Sequence, residues 1–405
     1  MTKKIFALDI GTRSVVGIIM EIRNERYVIT DVVIREHTER AMVDGQIHDV
    51  VAVSDVIHEI KDTLEKKHGP LTKVSVAAAG RALRTEFGKS SVHITGKPLL
   101  SEEDRIHLEL AAVQQAQFQV AEKEENQNNY HYYCVGYSVL HYYLDGQEIG
   151  NLLDQKGDVA EAEIIATFLP RVVVESLFAA LKRVDLELEA LTLEPIAAIH
   201  VLIPPSMRRL NVCLVDIGAG TSDIAITDER TIIAYGMVPI AGDEITEEIS
   251  DQFLLDFPIA EEVKRSINEA EVIKVNDILG IESEIPKEEM ITAILPAIDK
   301  LAESISQEIL RLNHAKPPQA VMLIGGGSLT PRLPIILAEK LNLPTTRVAI
   351  RSIDAIKDLE IEANHQKGPE LVTPIGIAIS SKVNPIRYVS VDVNALQFDY
   401  LILSN

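Results

Sequence analysis

The sequence predicts an α/β protein in which one domain type occurs twice and a smaller α+β subdomain is inserted. Three observations carry this reading. A strand, glycine turn and second strand run through Asp-Ile-Gly at Asp9 and again at Asp216, which suggests duplication. In the first copy the antiparallel strands are followed by a helix and another strand, the order of a mixed α/β layer. Between about Gly80 and Asp158 the texture changes to polar and tyrosine-rich segments, as expected for a separate small unit. At 405 residues the chain has room for two to three domains of roughly 150 residues each.

Taken in order, residues 5–10 and 15–20 read as strands joined by Gly11-Thr12-Arg13-Ser14, with another strand over 27–35. A helix follows, with Ser54 as its N-cap, apolar Val56, Ile57, Ile60 and Leu64 on one face, and Gly69-Pro70 as its stop. Lys73 to Ala79 returns to strand. Glu122 to Asn129 reads as a polar loop disordered at its tip, and six of the ten tyrosines then fall between Tyr130 and Tyr143. There Val135, Tyr137 and Val139 alternate with small residues, the period of a strand. A tyrosine-rich strand is read first as packing and second as a partner surface.

Pro170 opens a helix through Leu177, Leu181 and Val184, and a strand over Leu188 to Leu193 ends at Glu194-Pro195. The stretch 243–315 reads as helical with short breaks. Its stripe of Ile291, Ile294, Leu295, Ile298, Leu301, Ile305, Ile309 and Leu312 marks a core-facing helix, with Pro286 in the first turn and Pro296 as a kink or restart. Ala320 to Ile324, Gly325-Gly326-Gly327-Ser328 and a helix over about 331–341 form a strand, glycine turn and helix. A small-residue helix is expected near Val372 to Ala378. Alternation over Tyr388 to Val393 reads as a strand reaching toward a further domain.

Composition narrows the function. Lys and Arg number 39 against 61 Asp and Glu, a net charge of −22. So acidic a surface repels nucleic acid and anionic lipid, and a bound polyphosphate would need backbone N–H groups and a divalent cation. Two cysteines, Cys134 and Cys213, cannot staple such a chain, which points to a reducing cytosol. The apolar run at the start is stopped by Asp9 after four residues, so neither an export signal nor a membrane span is expected.

The constellation that carries chemistry is D-I-G-T at 9–12, D-I-G-A-G-T-S-D at 216–223 and G-G-G-S at 325–328. Such turns make nests of backbone N–H groups that cradle phosphates, and Thr12 and Thr221 add hydroxyl donors. Asp9 and Asp216, at the ends of their strands, suit Mg²⁺ held through its waters. Other chemistries lack their residues. Gly88-Lys89-Ser90 has Leu83 where a P-loop needs its first glycine. The histidines and cysteines show no metal-ligand spacing, no G-x-S-x-G elbow is present, and Cys213 sits in an apolar strand as a core thiol.

At these residues the sequence resembles the actin-like ATPase superfamily, and within it the FtsA family. Asp9 to Thr12 matches the first phosphate motif, Asp216 to Asp223 the second and Gly325 to Ser328 the adenosine motif; Glu194-Pro195-Ile196-Ala197-Ala198 matches the first connecting helix. Ala241-Gly242-Asp243-Glu244-Ile245-Thr246 and Ala260-Glu261-Glu262-Val263-Lys264 resemble FtsA motifs. The resemblance implies two ribonuclease-H-like domains clasping ATP or ADP with Mg²⁺. It makes Glu194, Asp9 and Asp216 the catalytic acids, Glu194 orienting the attacking water and the two aspartates surrounding the metal. Gly11, Thr12, Arg13, Gly218, Ala219, Gly220, Thr221 and Gly325, Gly326, Gly327, Ser328 would line the nucleotide. Glu261 and Lys264, three apart on a helix, would contact ribose and adenine.

The implied domains are 1–80 with 165–200, an FtsA-like strand–helix–strand–strand insert at 81–164, a second domain at 201–244 with 320–385, and a helical nucleotide-contacting subdomain at 245–319. The tail 386–405 would begin a further domain. The implied function is nucleotide-controlled polymerisation into filaments or dimers, or partner docking, in bacterial division or envelope assembly, with slow Mg-dependent ATP hydrolysis at most. Two alternatives stay open: a PilM-like pilus-assembly adaptor binding a peptide of an inner-membrane partner, and a small-molecule kinase. Ala219 and Ala241 replace glycines usual in the family, which would tighten the second nest and weaken nucleotide. The tail 382–405 has two basic and two acidic residues and no helical stripe, so membrane insertion is not carried over. A cytoplasmic protein, membrane-peripheral only through partners or further sequence, is expected.

Overall fold

The first apolar run becomes a strand covered on both faces. In this computed structural model, which describes residues 4–38, 41–43, 45–78, 83–96, 100–124, 132–204, 206–229, 231–363 and 367–383, β1 (Lys4–Ile10) buries Ile5, Phe6, Ala7 and Leu8 in succession. It pairs antiparallel with β2 (Ser14–Arg23), which turns back into β3 (Arg26–Glu36). A short hairpin, β4 (Met42–Val43) and β5 (Gln46–Ile47), leads to α1 (Val50–His68). The N-cap is Asp49, not Ser54: the Asp49 carboxylate accepts from the N–H groups of Val51 at 2.9 Å and Ala52 at 3.0 Å. Ser54 lies inside the helix, its hydroxyl donating to the Val51 carbonyl at 2.7 Å, the alternative that short hydroxyl side chains always have. Gly69, at φ +77°, ends α1 where a left-handed residue is needed.

β6 (Lys73–Ala78) lies parallel to β1. The chain then leaves this sheet for a second one. β7 (Arg84–His93), α2 (Glu102–Glu124), β8 (Tyr132–Leu144), β9 (Gln147–Ile149) and β10 (Val159–Pro170) form an antiparallel sheet of order β7-β10-β8-β9 packed against α2. The helix takes in Glu122 to Glu124, which the sequence reading put in a loop; residues 125–129 lie outside the described residues. The tyrosines of β8 serve packing in part: the hydroxyls of Tyr137 and Tyr142 both donate to the buried carboxylate of Glu109 on α2. Pro170 precedes α3 (Arg171–Arg183), β11 (Glu187–Leu193) rejoins the first sheet parallel to β6, and α4 (Glu194–Leu202) follows directly.

The second lobe repeats the first. β12 (Val212–Ile217), β13 (Ser222–Asp228) and β14 (Thr231–Val238) form an antiparallel meander, and after α5 (Gly242–Phe253) and α6 (Phe257–Ser266) comes a hairpin of β15 (Val272–Asn276) and β16 (Glu282–Pro286). The hairpin corrects the all-helical reading of 243–315. Burial alternates with period two along β15 and not along β16, and five residues a side are too few to outweigh the helical texture around them. α7 (Lys287–Leu312) buries Ile291, Ile294, Ile298, Leu301, Ile305 and Ile309. Pro286 is its N-cap residue and not in its first turn, and the helix neither stops nor restarts at Pro296, which lies on the exposed face where solvent can satisfy the carbonyl left without a donor. β17 (Ala320–Ile324), α8 (Leu333–Lys340) and β18 (Val348–Ile350) complete this lobe.

The strand orders β3-β2-β1-β6-β11 and β14-β13-β12-β17-β18 are the same topology, three antiparallel strands followed by two parallel ones. Asp9 and Asp216 are each the penultimate residue of the central strand. The chain then returns to the first lobe: β19 (Leu359–Ile361) adds parallel to the edge of β3, and α9 (Val372–Val383) packs on the first lobe's core beside α4. Gly376 makes that contact possible, since a Cβ there would overlap the Ala197 carbonyl. The expected strand at 388–393 lies outside the described residues. No helix among the described residues is long and apolar enough to cross a membrane. Both cysteines are free and buried, and burial pushes the Cys134 thiol up to about 12 and the Cys213 thiol higher.

Candidate functional site

The duplicated turns meet face to face. A Cβ on Gly220 would lie 2.9 Å from Thr12 Cγ2, so the second turn needs a glycine where the first turn presses on it. Each turn is closed by the same bond, Gly11 N–H to the Ser14 carbonyl at 3.0 Å and Gly218 N–H to the Thr221 carbonyl at 2.9 Å. The N–H groups of Thr12, Ala219 and Gly220 donate to no backbone carbonyl among the described residues, as a phosphate-binding nest requires. His37, beyond β3, has Nε2 3.2 Å from the Gly11 carbonyl, and burial lowers its pKa.

Four carboxylates converge beside these turns. Asp9 and Asp216 end their strands, Glu194 begins α4, and Asp223 stands opposite Asp216 in the β12–β13 register. Burial first, and then the charge of Asp216, lifts Asp9 to about 7. Burial and Asp216 likewise lift Asp223 to about 7, against the Thr221 hydroxyl that donates to it at 3.2 Å. Burial raises Asp216 to about 6, opposed by the hydroxyl of Thr373. Glu194 is raised well above the usual carboxylate range by burial and by Asp9, Asp223 and Asp216. Among the described residues, no three acidic, histidine or cysteine side chains are grouped to hold a metal ion directly. The crowded negative charge nevertheless fits a hydrated cation.

The third turn, a 3₁₀ segment at Gly326–Leu329, packs against the second. Gly325 has φ +78°, and a Cβ there would overlap Asp216 Oδ1 and the Ile217 carbonyl. Gly327 is as tightly placed, 2.5 Å from Ile217 Cγ2 by the same measure, while nothing crowds Gly326. Ser328 is buried, its hydroxyl donating to the Gly325 carbonyl at 2.7 Å.

On the far side of the second turn lies a second charged group. Glu261 on α6 accepts from Thr246 at 2.6 Å and pairs with Lys264 at 2.7 Å, Arg265 at 2.9 Å and Arg13 at 2.5 Å. Arg13 reaches it from the first lobe, pairs also with Asp243, and lies over the Phe257 ring at 5.2 Å. Arg265 in turn pairs with Glu36 of the first lobe at 2.8 Å. Burial opposes ionisation of Glu261, but Lys264, Thr246 and Arg13 hold its pKa down at about 2. Lys264 also donates to the Gly242 carbonyl at 2.9 Å. The structure thus brings Glu261, Lys264 and Arg13 into one ionic clamp across the lobes, separate from the acidic quartet. Asp223, Asp243, Phe257 and Thr373 were not singled out as site residues; Asp223 and Asp243 stood inside quoted motifs, whereas Phe257 and Thr373 gave no signal.

With this geometry in place, the chain can be compared with known proteins. The family model for cell division protein FtsA matches residues 213–376. The cell division protein FtsA of Pseudomonas aeruginosa is 24% identical over 374 residues, covering 88% of this chain and 85% of the relative. Over most of its length the chain is similar to cell division protein FtsA. Its fold matches a solved PilM-PilN type IV pilus biogenesis complex with a TM-score of 0.64 at 17% identity, over 94% of this chain and 99% of that one. It also matches MreB 5 of Spiroplasma citri, solved bound to AMPPNP, with a TM-score of 0.51 at 16% identity over 95% and 97% of the two chains. The FtsA-like chain therefore has the two-lobed actin fold with both Asp-Ile-Gly turns at the junction of the lobes.

Proposed function

We propose that this chain binds a magnesium nucleotide between its paired turns and uses nucleotide state to control self-association or partner docking in bacterial cell division or envelope assembly. The observation that carries the reading is the convergence of Asp9, Asp216, Asp223 and Glu194 where the turns meet, an excess of negative charge that a cation would relieve. The AMPPNP bound by the MreB 5 relative in fold supports the nucleotide, and the FtsA relatives support the division role.

Bound Mg²⁺ would supply the positive charge that offsets both the phosphates and these carboxylates. Asp9 and Asp216 would hold it through water. The N–H groups of Thr12, Ala219 and Gly220, with the hydroxyl of Thr12, would orient phosphate oxygens, and the Thr221 hydroxyl would join them only on leaving Asp223. Glu194 would accept a hydrogen bond from water when ionised; burial and the charges of Asp9, Asp223 and Asp216 raise its pKa, so a cation that offsets those charges would favour the ionised form. Glu261 and Lys264 would meet ribose and base only after yielding part of their hold on Arg13. The likeness to the PilM-PilN complex favours a second reading, a monomeric adaptor that holds a peptide.

High-speed pelleting of the protein with Mg-ATP, with Mg-ADP and without nucleotide separates the two, run beside Asp216→Ala. Pelleting that needs Mg-ATP and is lost in the variant is the expected result. Protein that stays in the supernatant under all three conditions speaks for the adaptor.

A further inference from the structure

The three turns and the acids account for most of the polar groups at the site, but one buried hydroxyl does not belong to any of them. We propose that Thr373 is a positioning residue that fixes the Asp216 carboxylate for the magnesium nucleotide, an inference that rests on the function proposed above. Thr373 is 4% exposed and Asp216 9%. The Thr373 hydroxyl donates to Asp216 Oδ2 across 157 residues of sequence. The other oxygen, Oδ1, is walled by Gly325, whose missing Cβ leaves just enough room. Gly325 is itself tied to the same stretch of chain, its N–H donating to the Pro369 carbonyl at 3.1 Å.

The carboxylate is therefore held on both sides, Oδ2 by the Thr373 hydroxyl and Oδ1 by contact with Gly325, which the Pro369 carbonyl anchors. The support behind them is rigid. Leu371 and Val372 are fully buried, a β-branched threonine has few rotamers to choose from, and α9 is pressed on α4 through Gly376 and Ala197. Ala197 lies one helical turn from Glu194, so the hydroxyl that aims Asp216 is referenced to the helix that carries Glu194. A carboxylate that binds a hydrated ion through its outer waters has weak directional demands of its own, and an outside donor is what fixes its orientation.

The test compares Thr373→Val, which keeps the shape and removes the donor, with Thr373→Ser, which restores the donor, and Asp216→Asn. A fluorescent ATP analogue is titrated at several Mg²⁺ concentrations and in EDTA, with urea unfolding of each variant alongside; Thr373→Ala replaces the valine variant should that fail to fold. Thr373→Val is expected to need about tenfold more Mg²⁺ for half-maximal nucleotide binding, with binding in EDTA unchanged and Thr373→Ser close to wild type. A valine variant with an unchanged Mg²⁺ requirement overturns the inference. So does one that loses binding equally in EDTA without rescue by serine, since that marks a merely structural residue. If Asp216→Asn also leaves the Mg²⁺ requirement unchanged, the reading of the site itself fails, whatever Thr373 does.

Discussion

Two regions of the site handle charge in opposite ways. Around Asp216 acid stands beside acid, and Asp9, Asp216 and Asp223 are lifted from 3.8 to about 7, 6 and 7. Around Glu261 each acid has a cationic partner, and its pKa falls from 4.5 to about 2. The first arrangement costs stability in the free protein, as a ligand-binding site does when its charges await a partner. The second is self-sufficient and holds the lobes together through Arg13 and Arg265. The contrast teaches which part of the cleft stores the drive for binding and which part resists opening.

The two regions also respond to pH with opposite sign. A carboxylate with a raised pKa binds more protons folded than unfolded, so its contribution is present below about 3.8 and is lost as pH rises through 6 to 7. Glu261 is the reverse: its contribution is present above about 4.5 and is lost as pH falls toward 2.

The largest expected effect strikes the acidic region through its backbone. Gly325→Ala must adopt a positive φ and overlap Asp216, and should cost on the order of 3 kcal/mol or more in urea unfolding; an unchanged midpoint would deny the tight packing of the third turn. Next comes the clamp. Glu261→Ala leaves Arg13 and Lys264 without their shared acid and should cost about 2 to 4 kcal/mol at pH 7. The loss should shrink toward pH 2 and in high salt. Smallest is Asp223→Asn, which removes one crowded charge and should stabilise the metal-free protein by about 1 kcal/mol at pH 8 and by nothing measurable at pH 4. Equal effects at both pH values would show that the quartet does not repel. Added Mg²⁺ should raise the melting temperature of the wild type more at pH 8 than at pH 5.

What was legible in the sequence follows from range. The Asp-Ile-Gly hairpins could be read because strand, turn and strand are adjacent in the chain and because β1 and β12 are buried on both faces, leaving unbroken apolar runs that end in one acid. Capping was only half legible: Asp49 and Ser54 both suit an N-cap, and the choice depends on which side chain the fold leaves free. The β15–β16 hairpin was hidden by the helical residues flanking it. The clamp between Arg13 and Asp243, and the bond from Thr373 to Asp216, join residues 230 and 157 positions apart. No local pattern encodes such pairs; only the meeting of the two lobes does.

β19 and α9 have a consequence for how the molecule is made. The sheet begun by β1 gains its edge strand only when Leu359–Ile361 arrives, and its covering helix only with Val372–Val383. The strands β12 to β18 lie instead within a single unbroken stretch of chain. On the ribosome, the lobe that starts the protein is therefore the last to be finished, after the second lobe already has all of its own strands.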